Sequence, residues 1–320
     1  MFAEFLLRHR SRSRKSTLEL EGEYARVVDI IRAGKDISDT DVDWIRVFAI
    51  IQTRRTAQAI ARLKQFMDQM AEEAFKNNPD QRPEDPTHDE LVMTSIKHGL
   101  NLARHIDDLK FVILDNRTEL EFATSDHPSV ISNRLNFEDS KVSGFGHASS
   151  GLFLVLPITP RLAALFFDMG VYTVSIPRGT RFVKVGDVSD VRALNELQQL
   201  NAEENIYFSN WCEREKFVAR DERVARQRKL QPRMQTFVRD ETMPSGAFRK
   251  GTAQEEASSR ERIIQASSQH PRPRFWPKLL KKRKNPITFG DGSAAGLVRK
   301  AEWLKLGALT DPLDAAIGET

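Results

Sequence analysis

The chain has 320 residues, of which 40% are hydrophobic, and this is enough apolar material for one large or two small packed domains. A single cysteine, Cys212, excludes an internal disulfide framework and a metal site built from several thiolates. No apolar run approaches the ~20 residues that span a bilayer, and a short apolar run precedes the first basic residues, the reverse of a secretory signal. These features predict a cytoplasmic protein without a transmembrane segment.

The charge is divided unevenly along the chain. Residues 211–320 carry 23 Lys+Arg against 14 Asp+Glu, net +9, whereas residues 1–210 carry 26 against 31, net −5. Residues 211–320 are also poor in large apolar residues, so we expect this basic extension to be partly disordered. The predicted organisation is a flexible basic N-terminus at 1–17, a single domain at 18–210 and the C-terminal extension at 211–320.

Apolar residues at helical spacing predict that residues 18–110 are helical. A first helix is expected over 18–32, and the longest helix over 38–75. In a projection of this long helix, Gln52 lies within the apolar stripe and Arg55 at its edge. Polar groups in a buried stripe need partners, so these two side chains either satisfy groups across the core or face a ligand.

A further helix is predicted after a proline-rich linker, between about residues 90 and 111. His98, Asn101 and His105 fall opposite its apolar stripe, on the face expected to meet solvent. Two histidines seven residues apart suggest a metal site, but no nearby residues supply the missing ligands. We therefore predict neither a metal nor a cofactor.

At residue 111 the apolar period changes from 3.6 to 2, which predicts a strand-rich part at 111–210. Strands at 111–114 and 120–123 are expected to pair as a hairpin. Further elements are expected at 152–157, 162–167, 171–176 and 206–209 as strands, and at 189–205 as a helix. The expected fold class is α+β, with an N-terminal helical layer packed on a mostly antiparallel sheet and a largely irregular basic C-terminal tail.

The densest polar cluster of this part is Thr124-Ser125-Asp126-His127-Pro128, at the end of a predicted strand. Asp126 and His127 are the candidate catalytic residues, because both can act as general bases, and Arg55 would bind an anionic group beside them. We expect Arg55 to be buried or semi-buried, with a carboxylate or a backbone carbonyl as its partner and Asp126 as the first choice. The alternative is a turn in which Ser125 and Asp126 bond their own backbone, so whether the protein is an enzyme stays open.

The stretch HPRPRFWPKLLKKRKNP at 270–286 mixes clustered cations with aromatic residues. The candidate polyanion-binding residues are Arg272, Arg274, Trp276, Lys278, Lys281, Lys282, Arg283 and Lys284. In a complex with nucleic acid, the phosphates would contact the cations and a base would stack on the indole of Trp276. On an anionic membrane surface, the same indole would insert into the headgroup region. The third interpretation is a solvated linker.

Four motifs together resemble the domain-of-unknown-function 4238 family, a widespread group of uncharacterised prokaryotic proteins. The motifs are the helix carrying Gln52 and Arg55-Thr56, TSDHP at 124–128, LPITPRLAALFF at 156–167, and Asn195 within ALNELQQLNAEENIYFS. Their order matches the family over about residues 18–210. Members typically begin with a His-rich stretch similar to HHYVPQ, and this chain lacks it.

The resemblance implies a fold but supplies no known reaction. The candidate ligand-binding residues are Gln52, Arg55, Ser125 and Asn195. The function that the sequence favours is binding, with the basic tail contacting nucleic acid or another polyanion. The alternative is an enzyme that acts on an anionic substrate in a cleft formed by Arg55, Asp126 and His127.

Overall fold

The structure is a computed structural model that describes residues 13–75, 78–139, 144–209, 224, 233–239, 248–258, 262–267, 270–290 and 296–306. Most of the predicted basic N-terminus, residues 1–12, lies outside the described residues. Much of the extension between 210 and 269 also lies outside them, and so does Cys212.

The N-terminal helical layer is built from helices that begin at side-chain caps. Its elements are α1 Ser13–Arg32, α2 Asp39–Arg54, α3 Ala57–Ala74 and α4 His88–Leu102, with 3-10 turns at Pro79–Gln81 and Ala103–Ile106. Ser38 and Thr87 each start a helix with a capping box, in which the cap side chain and the third helical residue satisfy each other's backbone amides. In the described ranges, no helix combines the length and hydrophobicity needed to cross a bilayer.

The prediction of one unbroken helix over residues 38–75 is wrong. Thr56 has extended backbone angles, φ −74° and ψ 150°, and its side chain accepts a hydrogen bond from the amide of Ala59, so it caps a second helix. The first helix ends at Arg54, whose carbonyl oxygen accepts a hydrogen bond from Ser95 Oγ at 2.6 Å. Because the residues on either side of Thr56 belong to separate helices, they do not share the single apolar stripe of the projection.

The α+β fold class is confirmed. A five-stranded sheet has the order β3-β4-β5-β1-β7, and all its neighbours are antiparallel except the parallel pair of β1 and β7. The strands are β1 Lys110–Asn116, β2 Thr124–Ser125, β3 Val130–Ser132, β4 Phe153–Pro157, β5 Leu162–Phe167, β6 Tyr172–Thr173, β7 Phe182–Val185, β8 Ile206–Tyr207, β9 Arg233–Arg239, β10 Phe248–Lys250, β11 Arg262–Ser267 and β12 Lys281–Lys282. The remaining helices of the described ranges are α5 Arg134–Asp139, α6 Val188–Asn201, α7 Ala253–Ser258 and α8 Glu302–Leu306.

The hairpin predicted between residues 111–114 and 120–123 is also wrong. β1 instead pairs with β5 on one side and β7 on the other. The backbone of residues 121–123 bonds to the side chain of Asn195 on α6, which accepts from the amide of Ala123 at 2.9 Å and donates to the carbonyl of Glu121 at 2.8 Å. Because a side chain satisfies these groups, the segment needs no neighbouring strand.

Both faces of the five-stranded sheet are covered, so its strands are apolar on both sides. Phe111 and Ile113 of β1 face the N-terminal helices, whereas Val112 and Leu114 face the opposite core with α6. Each large side chain buried in this way stabilises the fold by about 1.5–3 kcal/mol. The helical layer and α6 therefore hold the sheet between them.

Part of the basic extension packs on this second core. We call residues 270–290 the strap. Leu280 is 2% exposed, the Trp276 ring lies 5.8 Å from that of Phe137 and 6.3 Å from that of Phe153, and β12 pairs with β6. The strap is irregular outside β12, as expected of the tail, but Leu280 belongs to the core and Trp276 and Leu279 pack against it.

Candidate functional site

Basic side chains from six separate segments approach one another beside the helical layer. Four are histidines and two are arginines, and their charges act on one another. We call this group the basic recess: Arg54, Arg62, His98, His127, His147 and His270.

Arg54 is placed in the recess by the end of α2 and by a glycine on α4. A Cβ atom at Gly99 would lie 3.1 Å from Arg54 Cγ, tighter than an ordinary contact, so the glycine makes room for the arginine stem. Arg54 Nε is buried and has no hydrogen-bond partner among the described residues. Burial lowers the pKa of Arg54 to about 10, and Arg62 adds repulsion. The guanidinium is therefore charged at neutral pH in a place that disfavours its charge.

The four histidines are neutral at pH 7. Burial lowers the pKa of His98, His127 and His270 to about 4, and positive neighbours push these values in the same direction. Burial likewise holds the pKa of His147 well below its ordinary value. A neutral imidazole has one N–H donor and one acceptor nitrogen, so each of these rings can donate to a ligand or accept from it.

Two of these rings carry a buried nitrogen without a partner in the described part of the chain. The atoms are His127 Nδ1 and His147 Nε2, and Arg54 Nε is a third. Leaving such a group unsatisfied costs about 1–3 kcal/mol, so a cluster of three is typical of a place where a ligand or water binds. Arg54, Arg62, His98, His127 and His270 keep partial exposure although protein surrounds them. Each of these five side chains is therefore partly open to solvent.

The carboxylates near the recess are already engaged by backbone amides. Asp126 accepts from the amides of Glu203, Glu204 and Asn205 at 2.7 to 2.9 Å. Burial alone would raise the pKa of Asp126, but these three donors hold it below its ordinary value. Glu203 in turn accepts from the amide of Gln58 at 3.0 Å. Glu203 also acts on the charge of Arg62, whereas no carboxylate of the described residues acts on Arg54.

The expected pair between Arg55 and Asp126 does not form. Arg55 donates to Glu21 at 2.6 Å and to Gln52 at 2.9 Å, so its carboxylate partner is Glu21, and its side chain is 38% exposed. The physical reason is that the apolar stripe of the projection came mainly from α3, a separate helix, whereas on α2 Arg54 lies against Gly99 of α4 and Arg55 reaches Glu21 of α1. Arg55, Asp126 and His127 do not share a cleft.

The other candidates from the TSDHP and helix motifs have structural bonds. Ser125 Oγ accepts from the amide of His127 at 3.1 Å, which closes a tight turn, and lies 3.1 Å from Gln198 Oε1. Gln52 and Asn195 are buried, with the partners already described. Of the candidates in these motifs, only His127 lies in the recess.

Sequence reasoning missed the other five members of the recess. His98 was expected on the solvated face of its helix, and instead it lies close enough to Arg54 for their charges to interact. Arg62 and His147 belong to no compact motif, and His270 begins the basic stretch at 270–286 without being one of its candidate residues. The available signal was Thr56, a good N-cap residue inside the predicted long helix, because a break there means that the residues after it do not define the buried face of α2.

Some of the candidate polyanion-binding side chains of the strap contact the domain. Lys278 pairs with Asp187 at 2.9 Å, Lys282 pairs with Glu138 at 2.9 Å, and Arg283 Nε donates to the carbonyl of Met169 at 2.8 Å. Trp276 packs on phenylalanine rings. The candidates left on the surface are Arg272, Arg274, Lys281 and Lys284. Polyanion binding by the strap stays a prediction.

A metal centre has no support in the side-chain geometry. Within the ranges that the structure covers, no three His, Cys, Asp or Glu side chains come together as metal ligands. The recess combines imidazoles with guanidinium groups, and a guanidinium donates hydrogen bonds and repels a cation. The donor set fits an anion.

The family model described as "Protein of unknown function (DUF4238)" matches residues 15–211. The chain belongs to this family. No curated protein and no solved structure matches the chain. The DUF4238 region supplies Arg54, Arg62, His98, His127 and His147, whereas His270 comes from the strap, outside the matched residues.

Proposed function

We propose that this protein binds a small ligand carrying a phosphate or similar oxyanion group in the basic recess. The observation that carries the proposal is a set of buried, unpartnered nitrogens on Arg54, His127 and His147, with no carboxylate paired to Arg54 among the described residues. Buried charges in proteins are normally paired. An anion would provide the missing partner.

The hydrogen-bond donors of the recess suit an oxyanion. Arg54 and Arg62 each keep a full positive charge at neutral pH, and a guanidinium presents its donors in a fork that fits phosphate or sulfate geometry. The neutral imidazoles of His127 and His147, each with an unpartnered ring nitrogen that can carry the proton, add donors without adding repulsion between cations. An oxyanion would therefore supply the negative partner that Arg54 lacks among the described residues.

The test is titration of the full chain with orthophosphate, sulfate and chloride at constant ionic strength, followed by calorimetry and thermal unfolding. We expect both dianions to bind and to raise the melting temperature, and chloride to do so much less. Arg54→Gln should weaken binding at least tenfold, whereas its neighbour Arg55→Gln is the matched control and should bind as the unchanged protein does. Failure of both dianions to bind, or equal losses in the two variants, would contradict the proposal.

A second candidate function is contact with a polyanion through the surface of the strap. The supporting observation is that Arg272, Arg274, Lys281 and Lys284 remain exposed, without a carboxylate partner in the described ranges. Neutralising up to four phosphates gives a slope of log affinity against log salt of about −3 for single-stranded nucleic acid. Replacing all four with glutamine should abolish binding of a fluorescent oligonucleotide at low salt, and unchanged binding would refute this function.

A further inference from the structure

We infer that His270 is a ligand-binding residue of the basic recess and that it contacts the anion in its protonated form. The inference rests on the proposed anion site and names a residue that lies outside the family-matched region. It means that the strap takes part in binding, beyond covering the sheet.

The hydrogen bond of His270 fixes which ring nitrogen carries the proton. Its Nε2 lies 3.2 Å from the carbonyl oxygen of Phe145, and its ring stacks on the Phe145 ring with centroids 3.9 Å apart and planes 17° apart. A carbonyl oxygen can only accept, so Nε2 must donate. In the neutral ring Nδ1 then has only a lone pair, which an anion would repel. Contact with an anion through Nδ1 therefore requires a second proton on the ring.

The surroundings of His270 explain why this proton is absent before the anion arrives. The charged and titratable groups that act on it are Arg54 from α2, Arg62 from α3, His127 from the turn after β2 and His147 from the loop before β4. All of them are basic, and among the described residues no carboxylate acts on His270. A dianion among them reverses the sign of the local field and favours protonation. Binding would then take up a proton.

The rest of the strap is held without the help of His270. The amide of Arg274 donates to Glu196 at 3.3 Å, the amide of Leu279 donates to Asp190 at 3.1 Å, and β12 is paired with β6. Pro271 and Pro273 restrict the backbone between His270 and these anchors. A substitution at His270 should therefore leave the strap in place.

The variant that isolates the second proton is His270→Gln. The glutamine amide can still donate to the Phe145 carbonyl, but it offers no group that titrates. The control is Arg272→Gln, two residues away on the exposed side of the strap. At pH 7 Arg272→Gln removes a full positive charge and His270→Gln removes none. If long-range electrostatics governs binding, Arg272→Gln should weaken it more, and if direct contact governs it, His270→Gln should weaken it more.

The experiment is calorimetric titration of the full chain with sulfate at pH 6.5, in two buffers of different ionisation enthalpy, so that the protons taken up can be counted. We expect sulfate to bind His270→Gln at least tenfold more weakly, with about one proton fewer taken up, and Arg272→Gln to differ less than twofold. If His270→Gln keeps the affinity and the proton count while Arg54→Gln loses binding, the inference is overturned and the proposed function stands. If the unchanged protein binds no sulfate, both are overturned.

Discussion

Replacing Arg54 with methionine should make the protein more stable and unable to bind its ligand. Burial of an unpaired guanidinium lowers the pKa of Arg54 from 12.5 to about 10, and this shift corresponds to about 3 kcal/mol against the charged form in the folded state. Methionine fills a similar volume beside Gly99 and carries no charge. Ligand-binding sites often store instability of this kind.

Two smaller effects oppose the gain from Arg54→Met. A cation in the last turn of α2 is favoured by the helix dipole, which is worth about 0.3–1 kcal/mol, and the residual exposure of the side chain screens part of the burial penalty. The expected net effect is an increase of about 1–2 kcal/mol in the free energy of unfolding. This corresponds to a melting temperature about 3–6 °C higher.

The matched control is Arg55→Met, which should change stability in the opposite direction. It removes an exposed ion pair with Glu21, worth about 0.2–1 kcal/mol, and leaves the buried Gln52 without the donor to its Oε1. Urea unfolding and sulfate calorimetry on both variants give the comparison. If Arg54→Met destabilises the fold as much as Arg55→Met does, Arg54 has a partner in solution and the reasoning about the recess fails.

Three further predictions concern the histidines, Gly99 and Asp126. The free energy of unfolding should fall as the pH drops from 6.5 towards 4, because His98, His127 and His270 take up protons in the unfolded chain before they do so in the folded protein. Sulfate should oppose this loss and bind more tightly at low pH, which urea titrations with and without sulfate can measure. Gly99→Ala should weaken sulfate binding several-fold, because the new methyl group shifts the Arg54 stem. Its melting temperature should stay within about 3 °C of that of the unchanged protein, because alanine has a helix propensity up to ~1 kcal/mol better than glycine. Asp126→Asn should lower the free energy of unfolding by about 1–3 kcal/mol at pH 7, because the asparagine amide cannot accept from all three backbone donors. A melting curve identical to that of the unchanged protein would show that those bonds do not form.

The regular elements were largely predictable because their side chains repeat with a simple period. The helices, β4 and β5 follow apolar spacing that burial enforces. The hairpin prediction failed because the side chain of Asn195, which is distant in sequence, bonds to the backbone groups that a paired strand would otherwise have satisfied. No local sequence pattern indicates such a bond.

The recess was not predictable in the same way. Its members lie between residues 54 and 270, in segments that only the tertiary fold brings together. Arg54 and Arg55 are adjacent and chemically identical, and the neighbours of α2 decide their surroundings: α4 lies beside Arg54, and α1 supplies Glu21 to Arg55. A projection that assumed one unbroken helix took its apolar stripe mainly from α3 and therefore selected the wrong arginine.

The strap shows how an average composition can mislead. Residues 211–320 are basic and poor in large apolar residues, which suggested a tail outside the core. Within the strap, Trp276, Leu279 and Leu280 nevertheless pack against the sheet and α6. A few apolar residues inside a basic run are enough to fix a segment when an uncovered sheet face lies within reach.

The most direct test of the anion site is a crystal structure of the full chain grown with tungstate, a heavy-atom dianion of phosphate-like shape. The account predicts an anomalous peak in the recess, with tungstate oxygens about 2.7–3.2 Å from the Arg54 guanidinium and from a ring nitrogen of His127 or His270. A recess without a peak, in which Arg54 is paired with a carboxylate of the same chain, would contradict it.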